Sequence, residues 1–283
     1  MSEANHVETR DLRQGDMNMR VIINHVHGHM RVMDYRVGNY EEKRQRLDRL
    51  ALDGGLRKAF ILVEKQDSHN WRSVGFTREG VFPTFFRTAD GYVMSRLYDR
   101  SGTPITEVGP LKPSATEKTS FPARKLRKPD GLKLELIRDE RSRRALLSGL
   151  NGELRALPFG RAEAPDLVLH ARTRKREGWA LAEIDDSFGH ATVGVAPPPS
   201  HEEELVLGAF ACNSLVDALT RKQVSNLFGL SPATDEWSNE LYAGLGFKVT
   251  GRLATHLLVG GRHTTALIWH RRLSGAASGT AHP

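Results

Sequence analysis

Apolar and polar residues in the second half of the chain alternate with two periods, one typical of strands and one typical of helices. Residues 132–136 alternate leucine with polar residues, which predicts a strand, because successive side chains of a strand point to opposite faces. Further strands are predicted at residues 179–184, 190–196, 224–230, 253–259 and 264–269. Helices are predicted from a cap at Asp139, at residues 204–219 and at residues 235–245. The chain ends in a hairpin that turns at Gly260-Gly261.

The first half of the chain has a shorter version of the same order. Residues 17–37 predict strands broken at Gly28, and residues 40–52 predict a helix that Gly54-Gly55 ends. A buried strand at residues 59–63, a helical turn at residues 71–75 and a strand pair near residues 82–86 and 91–96 follow.

Proline, serine and basic residues dominate residues 101–131, which have neither helical nor strand periodicity. We interpret this stretch as an extended linker. Arg124, Lys125, Arg127 and Lys128 carry much of the net charge of +7. The preferred interpretation is a solvated basic linker, because no nucleic-acid motif accompanies the charges. A module that uses the linker to bind nucleic acid or another anionic partner is the weaker alternative.

Composition excludes several classes of protein. Hydrophobic residues make up 39% and charged residues 27% of the 283 residues, so a packed core is expected. The longest apolar runs are far short of a membrane span, and we see no signal peptide. Cys212 is the only cysteine, which excludes an internal disulfide and predicts a core thiol. We expect a cytoplasmic protein with a disordered tail at residues 274–283.

A short motif recurs in the two halves. Three residues separate Gly75-Phe76 from Gly80, and three residues separate Gly246-Phe247 from Gly251. Each motif comes after a predicted helix and before paired strands. The shared order predicts an internal duplication.

The segment of residues 238–247 resembles the late helix and following strand of the GNAT N-acetyltransferase superfamily. Tyr242 lies four residues before Gly246, as a tyrosine often does in that family. One branch, the β-lysine N-acetyltransferases, is similar in further places. These are Gly251, Leu253, Gly261 and Trp269, residues 75–80, Phe85-Phe86, Met94-Ser95-Arg96 and Leu157-Pro158-Phe159.

The resemblance implies an α/β (α+β) fold, with a GNAT-like mixed sheet flanked by helices and a smaller partial GNAT-like domain before it. The expected segments are a first domain at residues 1–100, the linker at 101–131, a second domain at 132–273 and the tail.

The resemblance also implies an acetyl-CoA-dependent chemistry and its residues. Tyr242 is placed to protonate the leaving thiolate, Asn239 to position the coenzyme, and the backbone of Val193, Gly194 and Val195 to bind its arm. Two alternatives stay open: Tyr242 as a packed aromatic residue, and Gly194 as a strand glycine beside a bulky neighbour.

The sequence departs from the family in three places. The loop that holds the coenzyme diphosphate should fall near residues 201–207, where three glutamates and no glycine stand. Residues 179–196 hold only about two strands where the family has three, which predicts a trimmed sheet. Thr255 and His256 stand where the branch has asparagines. The hypotheses are therefore an acetyl-CoA-dependent N-acetyltransferase of a small amine or amino acid, or a catalytically inactive relative with a protein-binding or regulatory role.

Two further clusters have both a chemical and a structural interpretation. Glu183 and Asp185 could bind an ammonium substrate, or they are acidic residues at a turn. His25, His27 and His29 share a face if the segment is a strand, which allows zinc or nickel. We favour an exposed loop for the histidines and expect no metal.

Overall fold

The computed structural model describes residues 7–15, 17–105, 126–149 and 165–273. Six strands and two helices make up the first half. They are β1 (Val7–Gln14), β2 (Met17–Asn24), β3 (His29–Asp34), α1 (Tyr40–Gly54), β4 (Lys58–Val63), α2 (Lys65–Ser73), β5 (Thr77–Phe82) and β6 (Gly91–Leu97).

The second half repeats this order with one more strand and one more helix at its start. Its elements are β7 (Lys133–Ile137), α3 (Glu140–Gly149), β8 (Leu167–Arg172), β9 (Glu177–Asp185), β10 (His190–Ala196), α4 (Glu202–Arg221), β11 (Asn226–Pro232), α5 (Glu236–Gly244), β12 (Lys248–Val259) and β13 (Arg262–Arg272).

All of these strands belong to one mixed sheet, with the order β1-β2-β3-β4-β6-β5-β12-β13-β11-β10-β9-β8-β7. In each half a parallel pair lies at the centre, β3 with β4 and β10 with β11, and a helix connects its two strands. An antiparallel strand pair then ends the half. The predicted α/β class, a mixed sheet flanked by helices, is confirmed.

The helices of both halves cover one face of the sheet. Leu47 and Trp71, from α1 and α2, pack in the core of the first half, and Leu215 and Leu241, from α4 and α5, pack in that of the second. A third core lies on the opposite face, which we call the inner face. It joins the halves through Phe60, Phe82, Phe85, Phe228, Leu253 and Ile268.

The halves meet where β5 pairs with β12, a boundary that we call the seam. Gly80 pairs directly with Gly251, the two glycines of the recurring motif. A Cβ added at Gly251 would lie 2.5 Å from the Gly80 Cα, so a side chain has no room there. The motif therefore recurs because both strands need a glycine at the same crossing.

A buried ion pair also holds the seam. Lys58 donates to Glu79 at 2.5 Å and to the Ala254 carbonyl at 2.8 Å. Glu79 in turn accepts from the Ser95 hydroxyl and from the Ala254 N–H. The lysine and the carboxylate are 0% and 3% exposed, so each depends on the other for its charge. Lys58 and Glu79 thus bind the backbone of β12 where its register shifts, between Leu253 and Leu257.

Several sequence predictions need correction. The trimmed sheet is wrong, because β8 supplies the strand that the pattern missed. Residues 83–86 are turns rather than strand, and residues 65–73 form a full helix. The Asp139 cap is confirmed, since its carboxylate accepts the Ser142 N–H at 2.7 Å.

Parts of the predicted organisation lie outside the described residues. They include residues 106–125 of the linker with Arg124 and Lys125, the Leu157-Pro158-Phe159 motif and the tail. The four predicted segments and the duplication stay predictions. None of the helices in the described ranges combines the length and the apolar character that a membrane crossing needs.

Candidate functional site

The parallel pair of the second half separates part-way along its length. β10 pairs with β11 only from His190 to Thr192, and the next residue, Val193, has no partner on β11. We call the gap beyond Thr192 the opening. Because the N–H and C=O of one strand residue point to the same edge, Val193 and Val195 face the opening. Gly194 faces β9, where it pairs with Leu181.

The Tyr242 phenol lies in this opening. Its hydroxyl donates to the Val193 carbonyl at 3.0 Å. A Cβ added at Gly229 of β11 would lie 2.3 Å from the Tyr242 ring, so this glycine makes room for it. Burial raises the pKa of Tyr242 well above its ordinary value of 10, and the phenol stays protonated at neutral pH.

Neighbouring aromatic rings fix the Tyr242 side chain. It stacks on Trp269 with centroids 5.7 Å apart and meets the Phe247 ring edge-on. Tyr242 is therefore a packed aromatic residue, as one of the two sequence interpretations has it, and its role as a proton donor stays a prediction.

Asn239 is buried in a hydrogen-bond chain at the end of β11. The Trp269 indole N–H donates to the Ser231 hydroxyl at 2.7 Å, and Ser231 donates to the Asn239 carbonyl oxygen at 2.6 Å. The Asn239 amide nitrogen donates to the Ala233 carbonyl at 3.1 Å. Both ends of this amide are therefore engaged within the protein.

The first turn of α4, where the resemblance puts the coenzyme diphosphate, is occupied by its own side chains. The Glu204 N–H donates to His201 Nδ1, which caps the helix. The Ser200 N–H and hydroxyl both donate to the Glu204 carboxylate, at 2.9 and 2.7 Å. No glycine brings the backbone close to a ligand here.

Arg176, in the turn between β8 and β9, neutralises two of the three glutamates. Its guanidinium lies 2.7 Å from Glu203 and 3.3 Å from Glu204. The hydrogen bond from Arg176 lowers the pKa of Glu203. The two carboxylates thus point toward β9 and away from the opening. This arrangement disfavours a diphosphate, because the N–H groups of Ser200 and Glu204 already bond to side chains of the turn and the carboxylates of Glu203 and Glu204 would repel phosphate.

The first half differs from the second at the position of Tyr242 and at the start of its connecting helix. The N–H of Phe76 donates to the Trp71 carbonyl, as the N–H of Phe247 donates to that of Tyr242. Trp71 therefore takes the place of the tyrosine and has no hydroxyl. At the start of α1, Lys43 donates to Asp34 at 2.7 Å, and its side chain is 1% exposed.

Glu183 and Asp185 lie on the inner face, in a small pocket shared with the first half. Arg31 of β3 and Phe82 of β5 line it with them, and its volume is about 30 Å³. Asp185 also accepts the Ser187 N–H at 3.1 Å, as the turn interpretation predicts. Nothing in the sequence pattern pointed to Arg31 as their neighbour.

The histidine cluster lies at the seam. His25 is exposed beside Glu8, but His27 and His29 are 4% and 2% exposed, so the predicted exposed loop is wrong for these two. His27 Nδ1 accepts the Leu258 N–H, and His29 stacks on His256 with centroids 4.4 Å apart. Pairing with the second half buries them.

Metal and thiol chemistry find no support in the described part of the chain. It holds no group of three or more His, Cys, Asp or Glu side chains that suits a metal ion. Burial raises the pKa of the Cys212 thiol to about 12, which makes it unreactive.

No protein-family model matches the chain, and no curated protein matches it. Solved structures that are similar in part include acetyltransferases from three bacteria. A ribosomal-protein-alanine N-acetyltransferase from Brucella melitensis is 18% identical, with a TM-score of 0.38, over 50% of this chain and 99% of that one. A phosphinothricin acetyltransferase of the GNAT superfamily from Sinorhizobium meliloti, in complex with acetyl-CoA, is 12% identical, with a TM-score of 0.40, over 53% and 92%.

The third, mutant forms of a spermidine/spermine N-acetyltransferase from Vibrio cholerae, is 14% identical, with a TM-score of 0.40, over 50% of this chain and 94% of that one. Similarity at this level identifies neither an activity nor a substrate for the chain.

Proposed function

We propose that this chain is an N-acetyltransferase-like protein of GNAT architecture that binds a small ligand or a protein partner without acetyl-CoA-dependent catalysis. The observation that carries the proposal is the first turn of α4. Glu204 takes the hydrogen bonds of Ser200, and Arg176 holds Glu203 and Glu204. A diphosphate brought there would displace these contacts and meet ionised carboxylates.

Calorimetry with acetyl-CoA tests this proposal. We expect no binding to the purified chain at millimolar ligand. Saturable binding with a dissociation constant below about 100 μM, equivalent to roughly −5.5 kcal/mol, would contradict the proposal. Circular dichroism of the same sample shows that the chain is folded when binding is absent.

Active N-acetyl transfer to a small amine or amino acid is the second candidate, and the position of Tyr242 favours it. The phenol lies in the opening beside Val193, where the backbone of Val193 and Val195 would bind the arm of acetyl-CoA. In this function the amine nitrogen bonds to the acetyl carbon and the carbon–sulfur bond breaks. Tyr242 would supply a proton to the leaving sulfur, and the proton that the amine loses would restore the phenol.

A Tyr242→Phe variant tests the second candidate. If the chain acetylates amines, we expect turnover to fall about 100-fold while acetyl-CoA affinity stays unchanged, because the ring keeps its contacts and only the proton is lost. Equal turnover in both proteins would remove Tyr242 from the reaction.

A further inference from the structure

The sheet ends in two edge strands, β1 in the first half and β7 in the second. The acidic residues of β1 are paired within the first half, since Arg10 binds Glu8 and Arg20 of β2 lies 2.7 Å from Asp11. A row of charged side chains is one of the ways in which an edge strand avoids pairing with another chain. The edge at β1 is therefore protected by charges that have partners within the chain.

The edge at β7 has a different character. Each residue of Lys133–Ile137 pairs with β8 on one side, and no strand of the described ranges lies on the other side. Lys133, Leu134 and Glu135 are exposed. An edge of this kind presents open N–H and C=O groups that can pair with a further strand.

The two charges of β7 lack partners of opposite sign. Across the pair of β7 and β8, Lys133 lies opposite Arg172, a residue of like charge. Glu135 lies opposite His170, whose ring is already bonded to Glu177 at 3.2 Å. Within the described part of the chain, neither Lys133 nor Glu135 forms an ion pair. Because like charges directly opposite each other are destabilising, an opposite charge on the open side of β7 would be favourable.

The leucines of β7 also leave apolar surface at this edge. Leu132 and Leu136 pack against the core under α4, whereas Ile137 packs on the inner face. Successive side chains of a strand point to opposite faces, so Leu134 lies on the helix-covered face with the other two leucines. Leu134 is nevertheless 38% exposed. A strand added at the edge would cover it.

We propose that β7 pairs antiparallel with β7 of a second copy of this chain, around a two-fold axis at Leu134. Each Lys133 then meets Glu135 of the second copy, and the two Leu134 side chains meet each other on the helix-covered face. The inference goes beyond the proposed function and does not depend on it, because the opening lies between β10 and β11, three strands away from this edge.

Charge complementarity selects both the partner and the register. A two-fold axis through the sheet keeps the helix-covered faces together, so residues of β7 pair only with residues of the same face. An axis at Lys133 would place the two lysines opposite each other, and an axis at Glu135 would do so with the two glutamates. Only the axis at Leu134 pairs Lys133 with Glu135, and it does so twice.

Sedimentation equilibrium on charge-reversed full-length chains tests the pairing. We expect the natural chain to form a dimer, and Lys133→Glu or Glu135→Lys to raise its dissociation constant at least about tenfold, because each change places like charges in both contacts. The double variant Lys133→Glu/Glu135→Lys should restore the dimer. Arg13→Glu, on the other edge strand, is the control and should leave it unchanged.

Two results would overturn this proposal when circular dichroism shows folded protein. One is a natural chain that stays monomeric up to about 500 μM, which is weaker than roughly −4.5 kcal/mol. The other is a double variant that dimerises no better than the single variants. A dimer that all the charge variants retain would place the contact outside β7 and would also reject it.

Oxidative cross-linking tests the register independently. Residues directly opposite each other in antiparallel strands have Cα atoms about 4.5–5.5 Å apart, within the reach of a disulfide. Leu134→Cys should therefore form a covalent dimer with copper phenanthroline as the oxidant. Cys212 is buried and does not compete. Val249→Cys, at a site 44% exposed on β12, is the control. No cross-link in Leu134→Cys, or equal cross-linking in both variants, would reject the axis at Leu134.

Discussion

The two halves of the chain share a strand order but differ at the positions where chemistry would occur. Each has a central parallel pair, a helix that connects it and a terminal strand pair. The second half keeps a tyrosine in its opening, whereas the first half has Trp71 at that position. Conversely, the first half supplies the buried Lys58 and Glu79 at the seam. In the second half, the residue that corresponds to Lys58 in the parallel strand pair is Asn226.

The two halves therefore have different roles: the first stabilises the contact between the halves, and the second has the opening where a ligand could bind. In the first half, buried charges shape the seam and the adjacent strand β12. In the second half, β10 and β11 separate beyond Thr192 and leave the opening between them. Mutations that affect one role and spare the other can therefore test the comparison.

The largest expected effect is at the buried ion pair of the first half. Lys58→Met leaves the Glu79 carboxylate buried without its counter-charge. We expect the free energy of unfolding to fall by about 3–5 kcal/mol, measured by urea denaturation. The exposed pair of Arg20 and Asp11 is the control, and Arg20→Met should cost much less, because water screens an exposed pair. Equal losses in the two variants would show that the seam pair is not buried.

The next effect is at the glycine crossing. Gly251→Ala puts a methyl group 2.5 Å from the Gly80 Cα and 2.8 Å from an Ile268 methyl carbon. We expect a loss of about 1–3 kcal/mol, because the backbone on the other strand cannot move aside. Gly244→Ala is the matched control, since a Cβ there meets nothing within 4 Å. A neutral Gly251→Ala would contradict the close approach at the seam.

A third effect depends on pH. Burial, followed by the charges of His27 and Lys58, lowers the pKa of His29 well below 6.5. The folded chain therefore keeps His29 neutral while the unfolded chain takes up a proton below about pH 6.5. The stability that this difference provides is present above pH 6.5 and is lost as pH falls toward the folded pKa.

The slope for one such histidine is at most about 1.4 kcal/mol per pH unit. The groups around it are His27, His256 and His263, with the Lys58–Glu79 pair beneath. Denaturation curves at pH 7.0, 6.0 and 5.0 measure the loss, and His29→Phe should flatten it. An unchanged slope in that variant would assign the pH dependence to other groups.

The smallest effect is at the tyrosine of the second half. Tyr242→Phe leaves the Val193 carbonyl without its donor and keeps the ring contacts. We expect a loss of about 0.5–1.5 kcal/mol, measured by thermal or urea denaturation. Tyr35→Phe, at a site 55% exposed, should change stability by less than about 0.5 kcal/mol. A loss no greater in Tyr242→Phe than in Tyr35→Phe would mean that the opening does not need this hydrogen bond.

The sequence predicted those strands and turns that short-range alternation or a glycine pair marks. Residues 190–196 form β10 with the predicted bounds, and the last hairpin turns at Gly260-Gly261 as expected. β1 was missed because most of its residues are charged or polar, as suits an exposed edge strand. β8 was missed although it is apolar, because the short run Leu167–Arg172 shows no clear period.

Contacts between the halves could not be predicted from the sequence. His27 and His29 have polar neighbours in sequence, and only the approach of β12 and its His256 buries them. Arg31 and Glu183 share a pocket because the sheet curls, and no local pattern encodes that curvature. The resemblance singled out both Tyr242 and Val193, which the structure joins by a hydrogen bond, but their roles stay predictions. The resemblance could not show that hydrogen bonds within the chain already occupy Asn239.

The pairing of Gly80 with Gly251 joins two strands of a single polypeptide. In a symmetric dimer, every substitution near such a crossing appears twice and must satisfy both copies at once. Within one chain it appears once, and dilution cannot dissociate the partners. Each side of this crossing can therefore carry its own residues: Lys58 corresponds to Asn226, and Trp71 corresponds to Tyr242.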